Sequence, residues 1–173
     1  MSGIGHLAPA FAAKPIAPKA PLWVLLIAGE TNDILYFLFS STGVEPKAVI
    51  SVMDFNQGVK YLTPVSNPWS HGLFMSVIWA MIAAAIAFLF YRDRRTSGVI
   101  GLVVFSHWIL DFLMHSNLPL FFGGSPQVGL SLENSGTGFL FMTVLDLLLL
   151  AAGITIYFMA RKRTTQKKEL ENV

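Results

Sequence analysis

The stretch "SHWILDFLMHSNLPLFF", residues 106–122, is apolar enough to cross a membrane, yet it carries His107, Asp111 and His115 at intervals of four residues. On an α-helix that interval stacks all three side chains on one face. An acidic residue at membrane depth costs roughly 3 kcal/mol on insertion scales, so it needs a partner or a task.

The rest of the chain fixes the setting. Of its 173 residues, 54% are hydrophobic and 13% are charged, with a mean hydropathy of +0.59. A soluble domain carries about 25% charge, so the membrane class is the starting point. There is no cysteine, which excludes disulfides, thiolate metal sites and cysteine nucleophiles. No nucleic-acid motif is present, and no nucleic-acid partner is expected.

Four segments approach the ~20 apolar residues that cross ~30 Å of hydrocarbon. They run about 21–40, 68–91, 98–121 and 138–160. Ten of the twelve Lys and Arg cluster at Lys14 and Lys19, in "RDRR" (92–95), and in the tail Arg161–Lys168. The positive-inside rule then puts both termini in the cytoplasm and the 41–67 and 122–137 loops outside. The expected fold is an all-α membrane protein, with four transmembrane helices in a bundle forming one integral domain over 1–173. Residues 161–173 form a cytoplasmic tail, read as a frayed, solvated helix end. The first apolar run contains Glu30 and Asp33, which a cleaved signal peptide would not tolerate.

Glu30, Asp33, Asp111 and Asp146 lie inside the spans, and no Lys or Arg shares a span with them. His107 and His115 flank Asp111, while His71 lies in the first turn of span two. Carboxylates and imidazoles without a basic counter-ion point to a bound cation or to protonated carboxyls. At ~1.5 Å per residue, Asp33, His71, His107 and Asp111 fall at compatible depth in the outer half of a bundle. His107 and Asp111 can reach one ion. His107 and His115 are about 12 Å apart in rise, so His115 serves the second shell, a substrate or a second metal.

"SNPWSHG" (66–72) reads as the start of span two, with Asn67 as cap and Pro68 in the first turn. His71 would then lie beside free N–H groups that suit a phosphate or carboxylate. His6 precedes span one on the opposite side. "GIGHLAPAFAAK" (3–14) is apolar enough to dip inward as a re-entrant half-helix, lifting His6 some 15 Å towards the midplane.

Four pieces in order, "GIGH" with "AAK", the Asp of "ETND", "PWSHG" and "SHWILDFLMHSNLPL", resemble the bacterial inner-membrane family of membrane-bound metal-dependent hydrolases (YdjM-like proteins). The likeness covers about residues 3–130. It implies a metal site at His6, Asp33, His71, His107 and Asp111, with His115 matching a histidine of a subset. The chain departs from that family's pattern. "GETNDIL" stands where many members have Pro-Asp-x-Asp-His, Gly72 replaces a Ser, and "HSNLPL" lacks the Asp of "HRPDLPL". Fewer acidic ligands count against a second metal.

Blander readings stand beside these. Asp146 in "VLDLLLL" can hydrogen-bond across helices through a protonated carboxyl. Trp108 belongs to a lipid or helix contact face, and Trp23, Trp69 and Trp79 include interface anchors. "MIAAAIA" (81–87) marks close helix packing. "GGSPQVGLSLEN" (123–134) reads as an outer turn or lid from which Glu133 can approach the site.

The expected site therefore holds a divalent metal on His71, His107, Asp111 and Asp33, with His6 next in line. His and carboxylate donors favour zinc, with manganese, iron or nickel as alternatives. The expected activity is metal-dependent hydrolysis, with a spare carboxylate such as Glu30, or else His115, as general base. Location within the bilayer suits a lipid or lipid-linked, phosphate-bearing substrate. The alternative is a non-catalytic integral subunit of a larger membrane complex, or a homo-oligomer, with a structural metal or hydrogen-bonded cluster. An ion or proton pathway is disfavoured, because "GVIGLVVF" (98–105) offers no polar residue to continue it.

Overall fold

The computed structural model describes residues 3–54, 56–61 and 66–171. The loop expected at 41–67 therefore includes positions, 55 and 62–65, that lie outside the described residues.

The chain is mostly helical. A 3-10 turn, Gly3–Leu7, leads into α1, Ala8–Ala13. The first span is two helices, α2 (Leu22–Gly29) and α3 (Thr31–Thr42), bent by 54° at Glu30. Helices α4 (Leu73–Tyr91), α5 (Arg94–Met114) and α6 (Gly136–Glu171) follow. These last three are each long and apolar enough to cross a membrane, and the bent pair makes a fourth if it counts as one span.

Between α3 and α4 stands an antiparallel hairpin, β1 (Ile50–Asp54) with β2 (Gly58–Tyr61). Beyond α5 a two-residue pairing, β3 (Leu118–Pro119) with β4 (Gln127–Val128), folds the loop back. Neither pairing follows from span-length reasoning, which sees only apolar runs. Span three leaves the helix at Met114 instead of running to 121. Helix α6 carries on through most of the tail, to Glu171.

Small residues let the helices approach. A Cβ on Gly101 of α5 would lie 2.8 Å from the Ala80 carbonyl and 3.1 Å from the Ala84 Cβ on α4. On α6, a Cβ on Gly153 would lie 2.6 Å from the Ala8 carbonyl, so α1 rests directly on α6. Helix α1 sits between α6 on one side and α2 with α5 on the other. Its Ala10 and Ala13 join Leu25, Ile100, Val103 and Val104 in the buried core. The outer faces stay apolar, with Phe90, Leu102 and Leu148 exposed. Such continuous apolar surface suits hydrocarbon and not water.

The α4–α5 connection is a tight reversal. Arg92 adopts a left-handed conformation, and the Asp93 carboxylate accepts from the Thr96 N–H at 2.8 Å as the N-cap of α5. That cap satisfies one of the donors a helix start leaves free.

Candidate metal centre

Helix α5 supplies His107 and Asp111 one turn apart, both fully buried. Nδ1 of His107 lies 2.7 Å from the Gly29 carbonyl oxygen. A carbonyl only accepts, so Nδ1 carries a proton, and in the neutral ring Nε2 keeps a lone pair. That carbonyl is free because α2 stops at Gly29, and the first backbone bond of α3 is Ile34 N–H to Glu30 O at 2.9 Å.

His71 precedes α4. The helix starts at Leu73 with Gly72 as an extended N-cap, and the His71 N–H closes a turn onto the Asn67 carbonyl at 2.9 Å. Pro68 to His71 form that turn because the backbone folds back so tightly that a Cβ on Gly72 would collide with the Pro68 carbonyl. His71 therefore lies ahead of the helix, not in its first turn.

The anion expected beside His71 is part of the chain. Glu45, almost wholly buried, accepts from the Trp69 N–H at 2.7 Å and the Ser70 N–H at 3.1 Å through Oε1. Its Oε2 accepts from the Ser70 hydroxyl at 2.6 Å. That hydroxyl lies 2.8 Å from Nδ1 of His71. Its one proton goes to Glu45, so it accepts from Nδ1–H, and Nε2 of His71 also keeps a lone pair. These N–H groups are thus taken, and no phosphate or carboxylate substrate is needed to satisfy them.

His115 caps the C-terminus of α5, with its backbone already extended. The loop beyond it turns back over the helix end. Leu130 N–H bonds the Phe112 carbonyl at 2.8 Å, and Ser131 N–H bonds the His115 carbonyl at 3.2 Å. These bonds satisfy carbonyls that a helix end leaves free. The same loop brings buried Glu133 to Nδ1 of His115 at 2.6 Å. From the other side β2 closes on it: Gly58, at φ +78°, lies so near the Glu133 and Ser135 backbone that any Cβ would collide.

The fourth imidazole that faces Asp111 comes from the N-terminal turn. Nε2 of His6 lies 3.4 Å from Oδ1 of Asp111, and its ring packs against His107, tilted by 31° with centroids 3.8 Å apart. Gly29 makes this approach possible, since a Cβ there would lie 2.7 Å from the His6 carbonyl. Asp33, in the first turn of α3, completes the cluster. Its Oδ1 lies 3.3 Å from Nε2 of His71 and 3.6 Å from Nε2 of His107, and its Oδ2 is 4.0 Å from Nδ1 of His6.

Two kinds of distance therefore coexist. The outward nitrogens of His71, His107 and His115 make contacts of 2.6–2.8 Å, ordinary hydrogen bonds. The inward nitrogens of His71 and His107 stand 3.3 and 3.4 Å from Oδ2 of Asp111, too far for a charge-assisted bond of ~2.7–2.9 Å. With neutral rings, lone pairs face lone pairs there, and a cation between them would remove the repulsion. A four-coordinate zinc with bonds of ~2.0–2.1 Å sets neighbouring ligand atoms ~3.3–3.4 Å apart. The donors fit such an ion. Nε2 of His107 and both oxygens of Asp111 are buried without a hydrogen-bond partner, the state a ligand atom has before its ion is counted. The buried His/Asp group can hold a metal ion.

Among the described residues, three sets bring ligand atoms within 4.8 Å of one another: His6, His107 and Asp111; Asp33, His71 and His107; and His6, Glu30 and Asp33. Glu30, half-buried at the bend, keeps Oε1 buried without a hydrogen-bond partner. Asp146 is buried on α6 against Gly5, where a Cβ on the glycine would collide with its carboxyl. It helps place the N-terminal turn and belongs to none of the three sets.

Sequence reasoning missed Glu45 and Asn32. Asn32 is fully buried, and its Nδ2 donates to the Ser76 hydroxyl at 3.1 Å, tying α3 to α4 beside Asp33. Neither residue lies on a periodic stripe. In "TGVEPKAV" Glu45 stands two residues from Lys47, as an ordinary loop charge does.

A cavity of about 200 Å³ opens beside the cluster. Asp33, His71 and His115 form its polar end, and Ile50, Met53 and Leu118 are among its apolar walls. The family models, the curated proteins and the solved structures compared with this chain contain no match to it.

Proposed function

We propose that the chain is a YdjM-like metal-dependent hydrolase of the bacterial inner membrane, a four-helix bundle with both termini cytoplasmic and an N-terminal re-entrant half-helix. The site holds a divalent cation, zinc by its imidazole and carboxylate donors. His71, His107, Asp33 and Asp111 are its ligands, with His6 beside them. One observation carries the reading: three histidines tie off one ring nitrogen each and turn the other, a lone pair, towards the Asp111 carboxylate. Metal-ligating histidines are oriented this way by outer-shell partners.

When bound, the ion polarises the scissile carbonyl or phosphoryl group and makes a bound water acidic. Glu30, whose Oε1 has no hydrogen-bond partner, is the spare carboxylate that accepts a proton as general base. His115 lines the cavity and faces substrate. The cavity, polar at the cluster and apolar along its hairpin wall, suits a lipid or lipid-linked ester, including a phosphate ester.

The test is metal analysis of detergent-purified protein beside a His107→Ala, Asp111→Ala double variant. The expected result is stoichiometric metal in the wild type and none in the variant. Metal-free wild type after gentle purification would sink the proposal, and metal retained by the variant would show the ligands misassigned. Stoichiometric metal with no hydrolysis of lipid-linked esters would favour the non-catalytic subunit in its place.

A further inference from the structure

The two oxygens of Asp111 face different pairs of histidines. Oδ2 faces Nε2 of His71 at 3.3 Å and Nε2 of His107 at 3.4 Å. Oδ1 faces Nε2 of His6 at 3.4 Å and Nε2 of His115 at 3.5 Å. Both sets lie near the ~3.3–3.4 Å expected between neighbouring ligands on a four-coordinate ion. All four are long for hydrogen bonds.

Resting on the metal-binding reading above, we propose that the centre is dinuclear: Asp111 bridges two divalent cations, one on His71, His107 and Asp33, the other on His6 and His115.

Several observations converge on the second position. Oδ1 of Asp111 is buried without a hydrogen-bond partner, so the carboxylate has two unassigned oxygens and one ion on Oδ2 leaves the other facing two imidazoles. Nδ1 of His115 is held by Glu133 at 2.6 Å, which leaves its Nε2 the lone pair that faces Oδ1. That is the outer-shell carboxylate a ligating histidine uses. The Asp33 carboxylate repeats the pattern more loosely, with Oδ1 towards His71 and His107 and Oδ2 towards Nδ1 of His6.

His6, Asp111 and His115 give the second ion three protein ligands, which leaves coordination free. His115 also lines the cavity, so the second position lies next to the space where substrate would sit. Paired cations ~3.5–4 Å apart stabilise both the entering and the leaving oxygen of an in-line displacement. The arrangement favours a phosphate ester over a carboxylic ester, and it gives His115, at the cavity wall, the role of a ligand.

The experiment is metal counting on the full-length protein in detergent, with Zn²⁺ and then with Mn²⁺ for electron paramagnetic resonance. Two zinc ions per chain are expected in the wild type and one in His115→Ala. The Mn²⁺-loaded wild type should give an exchange-coupled spectrum that collapses to that of isolated ions in the variant. The Mn²⁺ spectrum of the wild type stands on its own if His115→Ala does not fold. One zinc ion per wild-type chain, or two uncoupled Mn²⁺ ions, would overturn the bridge and leave the single-metal reading intact. Metal-free wild type would overturn both.

Discussion

The Glu45 carboxylate and the Ser70 hydroxyl meet at 2.6 Å, although 25 positions separate them in the chain. Their contact sets the direction of a proton: Ser70 donates to Glu45 and must accept from His71. Glu45 thus acts on the metal centre through two intermediaries. Glu45→Gln lets the amide donate to Ser70 and frees the hydroxyl proton for Nδ1, which favours the wrong tautomer of His71. Metal affinity should fall ~10–100-fold, the usual cost of losing an outer-shell partner. Competition against a chelator of known affinity measures it. Unchanged affinity in both Glu45→Gln and Ser70→Ala would show that His71 needs no such support.

Gly129 permits the loop that delivers Glu133. It lies at φ +136°, and a Cβ there would collide with the His115 carbonyl. Gly129→Ala should destabilise the fold by ~1–3 kcal/mol, the range for strained backbone. It should also loosen His115 more than His107. Thermal unfolding gives the first effect, and imidazole signals in NMR give the second.

The α4–α5 contact is a second place where size decides. Gly101→Leu must push apart backbone and side-chain atoms at 2.8 and 3.1 Å. Overpacking of this kind costs ~1–3 kcal/mol. A lower thermal midpoint in detergent, with metal still bound at low temperature, is the expected outcome, since the contact lies away from the ligands.

Asp93 provides a pH-dependent test outside the membrane. Thr96, and after it the Lys19 ammonium at 3.1 Å, hold its carboxyl down to about 2 from an ordinary 3.8. A depressed carboxyl stabilises the fold above its unfolded-state value and loses that contribution as pH falls through its folded one. The stability gap between wild type and Asp93→Ala should therefore be widest at neutral pH. It should close between about pH 4 and about pH 2. A gap independent of pH across that window would remove the charge from the explanation.

The stripe of His107, Asp111 and His115 is legible in the sequence because helical pitch converts spacing into direction. Pitch also keeps His107 and His115 off one ion, and in the structure they face different oxygens of Asp111. What pitch cannot show is where a helix stops. His115 is past the end of α5, His71 is ahead of α4, and Glu30 marks a break that an apolar run conceals. Glu45 is harder still, and Glu133 is legible only as part of a loop that can approach the site. They arrive from irregular segments whose course is set by backbone bonds to helix ends, and such bonds leave no period in the residues. The acidic ligands that count against a second metal are those missing from the motifs of spans one and three, whereas Glu133 reaches His115 from the loop beyond span three.

The bend at Glu30 has a mechanical consequence. In a straight span the Gly29 carbonyl would accept the Asp33 N–H; at the bend it accepts the His107 imidazole instead. Straightening the span would reclaim that carbonyl and release the ring that offers Nε2. Curvature and coordination are therefore a single equilibrium, and by linkage each must bias the other equally. An ion held at Nε2 would stiffen the kink, and whatever stretches or relaxes the kink would alter how tightly the ion is held.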